Sequence, residues 1–231
     1  MPSLGANALG TDFAMLAKIF GDHSGFTAKS DFRVLDKNQK ETVSAVLNFA
    51  YLDHKFRVEI DLGQMKNKDL PAGAGEAMKQ FGIDRLVSIV RPDKKTSYLV
   101  FPGIQAYVRT PLSQQEAEAY DRKSKTEATV LGKETLDGHA CVKKRITATD
   151  DTGAKSEFTV WNASDLKDFP LQIVTKEKED TVVIRYKEVK LAKPEGPLFD
   201  PPSGFKEYTD YAAMMQGVVM KMMSDTVAAP K

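Results

Sequence analysis

Residues 55–62 read Lys-Phe-Arg-Val-Glu-Ile-Asp-Leu, with every even position apolar and every odd position charged. On a helix this pattern would scatter its apolar groups around the cylinder. On a strand, successive side chains point to opposite faces, so the same eight residues give one wet face and one dry face. A strand of that kind must lay its dry face on a core, as antiparallel sheets do when one side meets water.

The period of two recurs. Phe26, Ala28, Phe32 and Val34 alternate with Thr27, Lys29, Asp31 and Arg33, and Val43, Ala45, Leu47, Phe49 and Tyr51 share one face of the next run. Further strands are predicted over residues 85–91, 95–101, 105–110, 128–134, 139–149, 155–162, 171–176 and 181–191. Short turn signals separate them: Asp36-Lys37-Asn38, Leu52-Asp53-His54, Pro92-Asp93-Lys94, Pro102-Gly103, Asp137-Gly138, Asp150-Asp151-Thr152-Gly153 and Glu179-Asp180. Helical spacing appears in four places. Thr11–Asp22 carries Phe13, Leu16, Ala17 and Phe20 on one face behind an N-cap Thr11. A short helix is predicted within 71–82, a solvent-exposed one over 113–122 from the capping box Ser-Gln-Gln-Glu, and a last one over 210–224. The order is helix, three strands, helix, three strands, helix, five strands, helix. Strands joined directly by short turns favour meanders over βαβ crossovers. The expected fold is mainly β (α+β), an antiparallel sheet of about eleven strands in a single domain spanning residues 1–231.

The 33 Lys+Arg and 32 Asp+Glu leave a net charge of +1, which excludes the basic footprint of a nucleic-acid binder. One cysteine, Cys141, excludes an intramolecular disulfide. No apolar run approaches the roughly 20 residues of a membrane span, so no transmembrane segment is expected. Residues 1–10 contain no basic n-region, no apolar h-region and no Cys, which leaves two readings open, a cytosolic protein or a mature segment separated from its export signal.

Chemistry-bearing residues are sparse. His23, His54 and His139 share no metal-type spacing with each other or with Cys141. His139 and Cys141, two apart on one strand, face the same side, so a Cys–His pair is geometrically open; a turn-adjacent histidine beside a half-buried thiol is the plainer reading. Gly-x-Ser-x-Gly, phosphate-loop and His-Glu-x-x-His motifs are absent. No catalytic residue, metal or cofactor is expected, and the chain reads as a non-enzyme. The run Lys143-Lys144-Arg145 reads as a solvated edge that could meet an anion locally. In the last helix Tyr211, Met214, Met215, Val218, Val219, Met222 and Met223 form an apolar stripe beside Met220. Five of the nine methionines fall in these ten positions. Methionine-rich faces adapt to irregular apolar partners, so this helix is either ordinary core packing or a lid.

A string of motifs carries a resemblance. It comprises Lys55–Glu59, Tyr98-Leu99-Val100-Phe101-Pro102 followed by Tyr107, Gly132-Lys133-Glu134-Thr135-Leu136-Asp137-Gly138-His139-Ala140-Cys141, Phe158-Thr159-Val160-Trp161, Asp168-Phe169-Pro170-Leu171 and Leu198-Phe199-Asp200-Pro201-Pro202-Ser203-Gly204-Phe205. Their order and spacing, from about residue 25 to 208, resemble the bacterial lipoprotein-carrier superfamily of the LolA and LolB type, in a poorly characterised branch of secreted and periplasmic proteins. The resemblance implies an incomplete barrel whose concave apolar face is plugged by helices, a periplasmic or secreted location, and an apolar ligand or lipidated protein as partner. The ligand-binding residues then expected are Phe49, Phe56, Val58 and Ile60 on the apolar face, Tyr107 and Trp161 at its rim, and Met215 and Met222 on the lid. The alternative is a cell-envelope protein–protein interaction module with a self-filled barrel and no small ligand. A monomer is expected in either case.

Overall fold

The computed structural model describes residues 13–121, 125–149, 153 and 155–228, with residues 121 and 221–228 described by backbone alone. Eleven long strands fall where the period-two runs predict them. They are β1 (Gly25–Leu35), β2 (Glu41–Leu52), β3 (Lys55–Asp61), β5 (Arg85–Arg91), β6 (Thr96–Phe101), β7 (Ala106–Pro111), β8 (Lys125–Leu136), β9 (His139–Thr149), β10 (Lys155–Ala163), β11 (Phe169–Glu177) and β12 (Asp180–Lys190). Two short strands, β4 (Lys66–Asn67) and β13 (Lys206–Tyr208), bring the sheet to thirteen. Among the described residues four helices accompany it: α1 (Phe13–Phe20), α2 (Ala74–Gln80), α3 (Gln114–Asp121) and α4 (Tyr211–Ala228). The expected N-cap, Thr11, lies outside the described residues.

Across the sheet the strands run β13-β7-β6-β5-β3-β2-β1-β12-β11-β10-β9-β8, with β4 on β2. One meander travels outward from β1 to β7, a second travels inward from β8 to β12, and β12 closes against β1. Every pairing is antiparallel except β13 on β7. Among the described residues the terminal strands β13 and β8 do not meet, so the sheet is an open, unclosed barrel. The hairpin turns have the chemistry their geometry demands. Asp53 and His54, and likewise Asp137 and Gly138, all take positive φ, the two-residue form whose twist matches paired strands.

Alternation sorts the side chains onto two faces. On the concave face Phe26, Phe49, Tyr51, Phe56, Phe169 and Tyr186 pack around Phe13 and Phe20 of α1. Phe13 sits 5.0 Å from Phe56, and Phe20 sits 4.8 Å from Phe26, between ring centroids. The capping box at α3 forms: Ser113 N–H donates to Glu116 at 2.8 Å, and Glu116 N–H donates to the Ser113 hydroxyl at 3.2 Å. That helix is not the free solvent-exposed element its polar composition predicts. Ala117 and Tyr120 pack on the core, and the Tyr120 ring lies 6.5 Å from Phe56. Two apolar positions on one side suffice to dock a helix that is otherwise polar.

The convex face carries a second, smaller core. Ala50, Leu52, Val87, Ile89, Tyr98 and Val100 surround the fully buried Phe199, which is delivered by the turn Gly196–Phe199. Two arginines hold this strap down. Arg57 Nη1 donates to the Leu198 carbonyl at 3.2 Å, and Arg91 Nη1 donates to the Phe199 carbonyl at 3.2 Å and to Asp200 at 2.5 Å. The motif Leu198–Phe205 is thus a structural clasp, with Phe205 packed on the same cluster.

Candidate functional site

The concave face is filled over most of its extent, with a cleft left at one side of α1. Over β1–β7 it is filled by α1 and by α4, whose Met214 is fully buried and whose Met215 packs on the same core. Phe49, Phe56, Val58 and Ile60 all belong to this filled part and are buried. The structure therefore brings four of the expected site residues together, under Phe13 and Phe20 rather than facing an empty cavity. Within this core the Tyr186 hydroxyl and the Ser30 and Ser88 hydroxyls are buried without hydrogen-bond partners among the described residues, and burial pushes the Tyr186 phenol up.

Beside α1 the filling is incomplete. A cleft of about 370 Å³ lies between Leu16 and strands β10–β12, with Phe158, Ile173, Val182 and Ile184 on its floor. Ser156, Thr175 and Thr181 also line it, beside the charged Lys155, Glu157, Lys176 and Glu177. Its size falls in the range of roughly 300–1,000 Å³ usual for small-ligand pockets, and its floor is apolar as theirs are. Strand register shows how the floor continues. Ile184 faces Ile173, Ile173 faces Val160, Val160 faces Lys144 and Lys144 faces Val130, in one row across β12, β11, β10, β9 and β8. A parallel row runs Val182, Thr175, Phe158, Ile146, Ala128. Outward along these rows burial falls away, until Val130 is 62% exposed.

Tyr107 and Trp161 require correction. Both sit on the convex side, one residue out of phase with the concave positions of their strands. Tyr107 packs near Phe199 and donates its hydroxyl to Glu207 at 2.8 Å. Trp161 packs with Cys141, Ala163 and Leu171, donates its indole N–H to Glu134 at 2.7 Å, and lies under the Lys143 ammonium at 4.7 Å. Neither lines the cleft. In α4, Met214 and Val218 are buried, whereas Val219 and Met220 are exposed, so the stripe covers only part of the helix. The Met222 side chain lies outside the described residues.

The Cys–His geometry left open by the sequence also resolves. His139 Nδ1 pairs with Asp165 at 2.7 Å, but the Cys141 thiol donates to the His139 carbonyl at 3.5 Å, not to its ring. Cys141 is 2% exposed, and burial pushes its thiol up, so the arrangement holds the thiol protonated. Among the described residues no group of three or more His, Cys, Asp or Glu is placed to hold a metal, and no helix is long and apolar enough to cross a membrane.

Comparison with known proteins adds the following. No curated protein matches the chain. Among solved structures it is similar to a LolA superfamily protein from Nitrosomonas europaea, at 13% identity and TM-score 0.40, over 86% of this chain and 98% of that one. It is also similar to the lipoprotein LppX of Mycobacterium tuberculosis, at 10% identity and TM-score 0.42, over 81% and 94%. A third similarity is to the MucA/MucB complex of Pseudomonas aeruginosa, at 12% identity and TM-score 0.39, over 85% and 63%. The sequence model of one family, described as a domain of unknown function (DUF4412), matches residues 53–169, and the chain belongs to that family.

Proposed function

We propose that this is a non-enzymatic binding protein that takes an apolar chain into the cleft between α1 and β10–β12. The observation that carries the proposal is the cleft itself: the protein's own aromatics fill most of the concave face, while beside Leu16 a space of about 370 Å³ is left over Phe158, Ile173, Val182 and Ile184. Each methylene moved from water onto that floor contributes about 0.8 kcal/mol, so a chain of moderate length would bind usefully in a preformed slot. The motif string supports placing this activity in the periplasm or outside the cell, with an acyl chain, lipid or lipidated protein as ligand. Organic extracts of the purified protein examined by denaturing mass spectrometry, together with lipid titration, test the proposal. Co-purified lipid and saturable binding are expected; the absence of both would refute it.

One observation favours a second reading, a cell-envelope interaction module without a small ligand. Phe49, Phe56, Val58 and Ile60 are covered by α1, as a self-filled barrel requires. That reading predicts a dry extract, no lipid titration, and recovery of a protein partner.

A further inference from the structure

We propose that His23 is an acid-sensitive latch that seats α1 on the aromatic core, and that its protonation loosens the helix. α1 ends at Phe20, and the chain leaves it through Gly21 at φ +56°, a left-handed conformation that glycine adopts freely. Gly21 N–H donates to the Lys18 carbonyl and His23 N–H donates to the Phe20 carbonyl, both at 3.2 Å. The His23 ring lies 5.4 Å from Phe169 between centroids, nearly perpendicular to it, and donates to the backbone carbonyl of Lys167. Phe169 is fully buried and stacks on Phe20 at 6.3 Å, with 10° between the ring planes. Lys167 and Asp168 both hold positive φ, 56° and 57°, which non-glycine residues keep only where their surroundings enforce it. His23, Phe169 and Phe20 thus form one line of rings from the linker into the core. Leu16 on the same helix bounds the cleft, so the latch also governs one wall of the proposed site.

A neutral imidazole suits this place better than an imidazolium. The neutral ring has one N–H, which the Lys167 carbonyl accepts, and lays its apolar edge near Phe169. The cation adds a second N–H and a charge that partial burial keeps from full hydration. The charged groups facing the ring are Asp22 in the same linker and Lys167 and Asp168 in the turn before β11. α1 itself carries one charge, Lys18. Asp22, Asp168 and the Lys167 carbonyl favour the cation and the Lys167 ammonium opposes it; burial outweighs all of them and holds the ring below its ordinary 6.5. The seat of α1 is therefore firmest above pH 6.5, where the ring is neutral whether the helix is seated or not, and weakens as pH falls below that value.

Hydrogen–deuterium exchange of the α1 amides at about pH 7 and about pH 5, corrected for the intrinsic rate at each pH, tests the proposal on the whole protein. In the wild type α1 should exchange severalfold faster in acid, while β2 keeps its protection. His23→Gln, which leaves a neutral donor in place of the ring, should make α1 exchange equally at both pH values. His54→Gln and His139→Gln should retain the wild-type acid response. Proton NMR of the wild type, with its three histidines assigned through these variants, should place the His23 titration below 6.5. Wild-type α1 exchange that ignores pH would overturn the proposal, as would an acid response that persists in His23→Gln. A His23 titration at or above 6.5 would overturn it as well, even where His23→Gln fails to fold.

Discussion

Replacing Phe199 by alanine isolates the convex clasp from the concave cleft. Phe199 is fully buried against Ala50, Leu52, Val87, Ile89, Tyr98 and Val100, all of which come from the sheet. Truncating a buried phenylalanine costs about 3–5 kcal/mol, counting lost transfer energy and the cavity left behind. The lower end applies here, because the ring is supplied by a surface strap that can settle into the vacancy. The carbonyl bonds from Arg57 and Arg91, both 3.2 Å, resist that settling but add only about 1 kcal/mol each. Urea unfolding should therefore show a loss of about 3 kcal/mol with an unchanged denaturant slope. Binding of the fluorescent probe N-phenyl-1-naphthylamine at the cleft, on the opposite face, should survive in the folded protein. A loss below about 1 kcal/mol would refute the claim that this ring closes the convex core. Loss of probe binding without unfolding would refute the separation of the two faces.

Gly217 lies in α4 where an added Cβ would come within 2.6 Å of the Tyr208 hydroxyl. Gly217→Ala gains about 1 kcal/mol of helix propensity but meets a clash costing about 1–3 kcal/mol, so thermal melts should show net destabilisation that Tyr208→Phe relieves in part. The Arg91 guanidinium holds the Asp93 carboxyl below its usual range, chiefly by hydrogen bonding. A carboxyl lowered on folding contributes stability above its unfolded pKa and loses it as pH falls through the folded value. Stability should therefore drop on acidification below about pH 4, and Asp93→Asn should flatten part of that drop. Cys141, buried with its thiol pushed up, should react with Ellman's reagent only as fast as the protein opens, and at once in denaturant. Rapid labelling of the native protein would contradict its placement.

Much of this fold could be read from residues alone because strand alternation is a local signal. Lys55–Leu62 shows its face in eight letters, and Asp137-Gly138 names its own turn. The two strands that were missed, Lys66–Asn67 and Lys206–Tyr208, are too short to show a period, and tertiary pairing alone defines them. The site was less legible, because a face is only meaningful once its cover is known. Phe56, Val58 and Ile60 read correctly as the dry side, yet only the packing of Phe13 and Phe20 shows that this side is filled. Trp161 and Tyr107 read as cavity aromatics because composition says nothing of phase; Phe158 and Val160, by contrast, point inward from the same strand as Trp161. Lys143-Lys144-Arg145 looked like one basic run, whereas alternation sends its middle residue to the opposite face from its neighbours.

The central claim is that the cleft beside Leu16 is a binding slot. Thr175 lines it and is half-buried, so Thr175→Trp should occupy the slot without disturbing the aromatic core. Titration with N-phenyl-1-naphthylamine is the direct measurement. The wild-type protein and a convex-face control, Val46→Trp, should bind the probe saturably with one site, and Thr175→Trp should lose at least about tenfold in affinity, equivalent to about 1.4 kcal/mol. Equal binding by Thr175→Trp and wild type, or no saturable binding by either, would contradict the account.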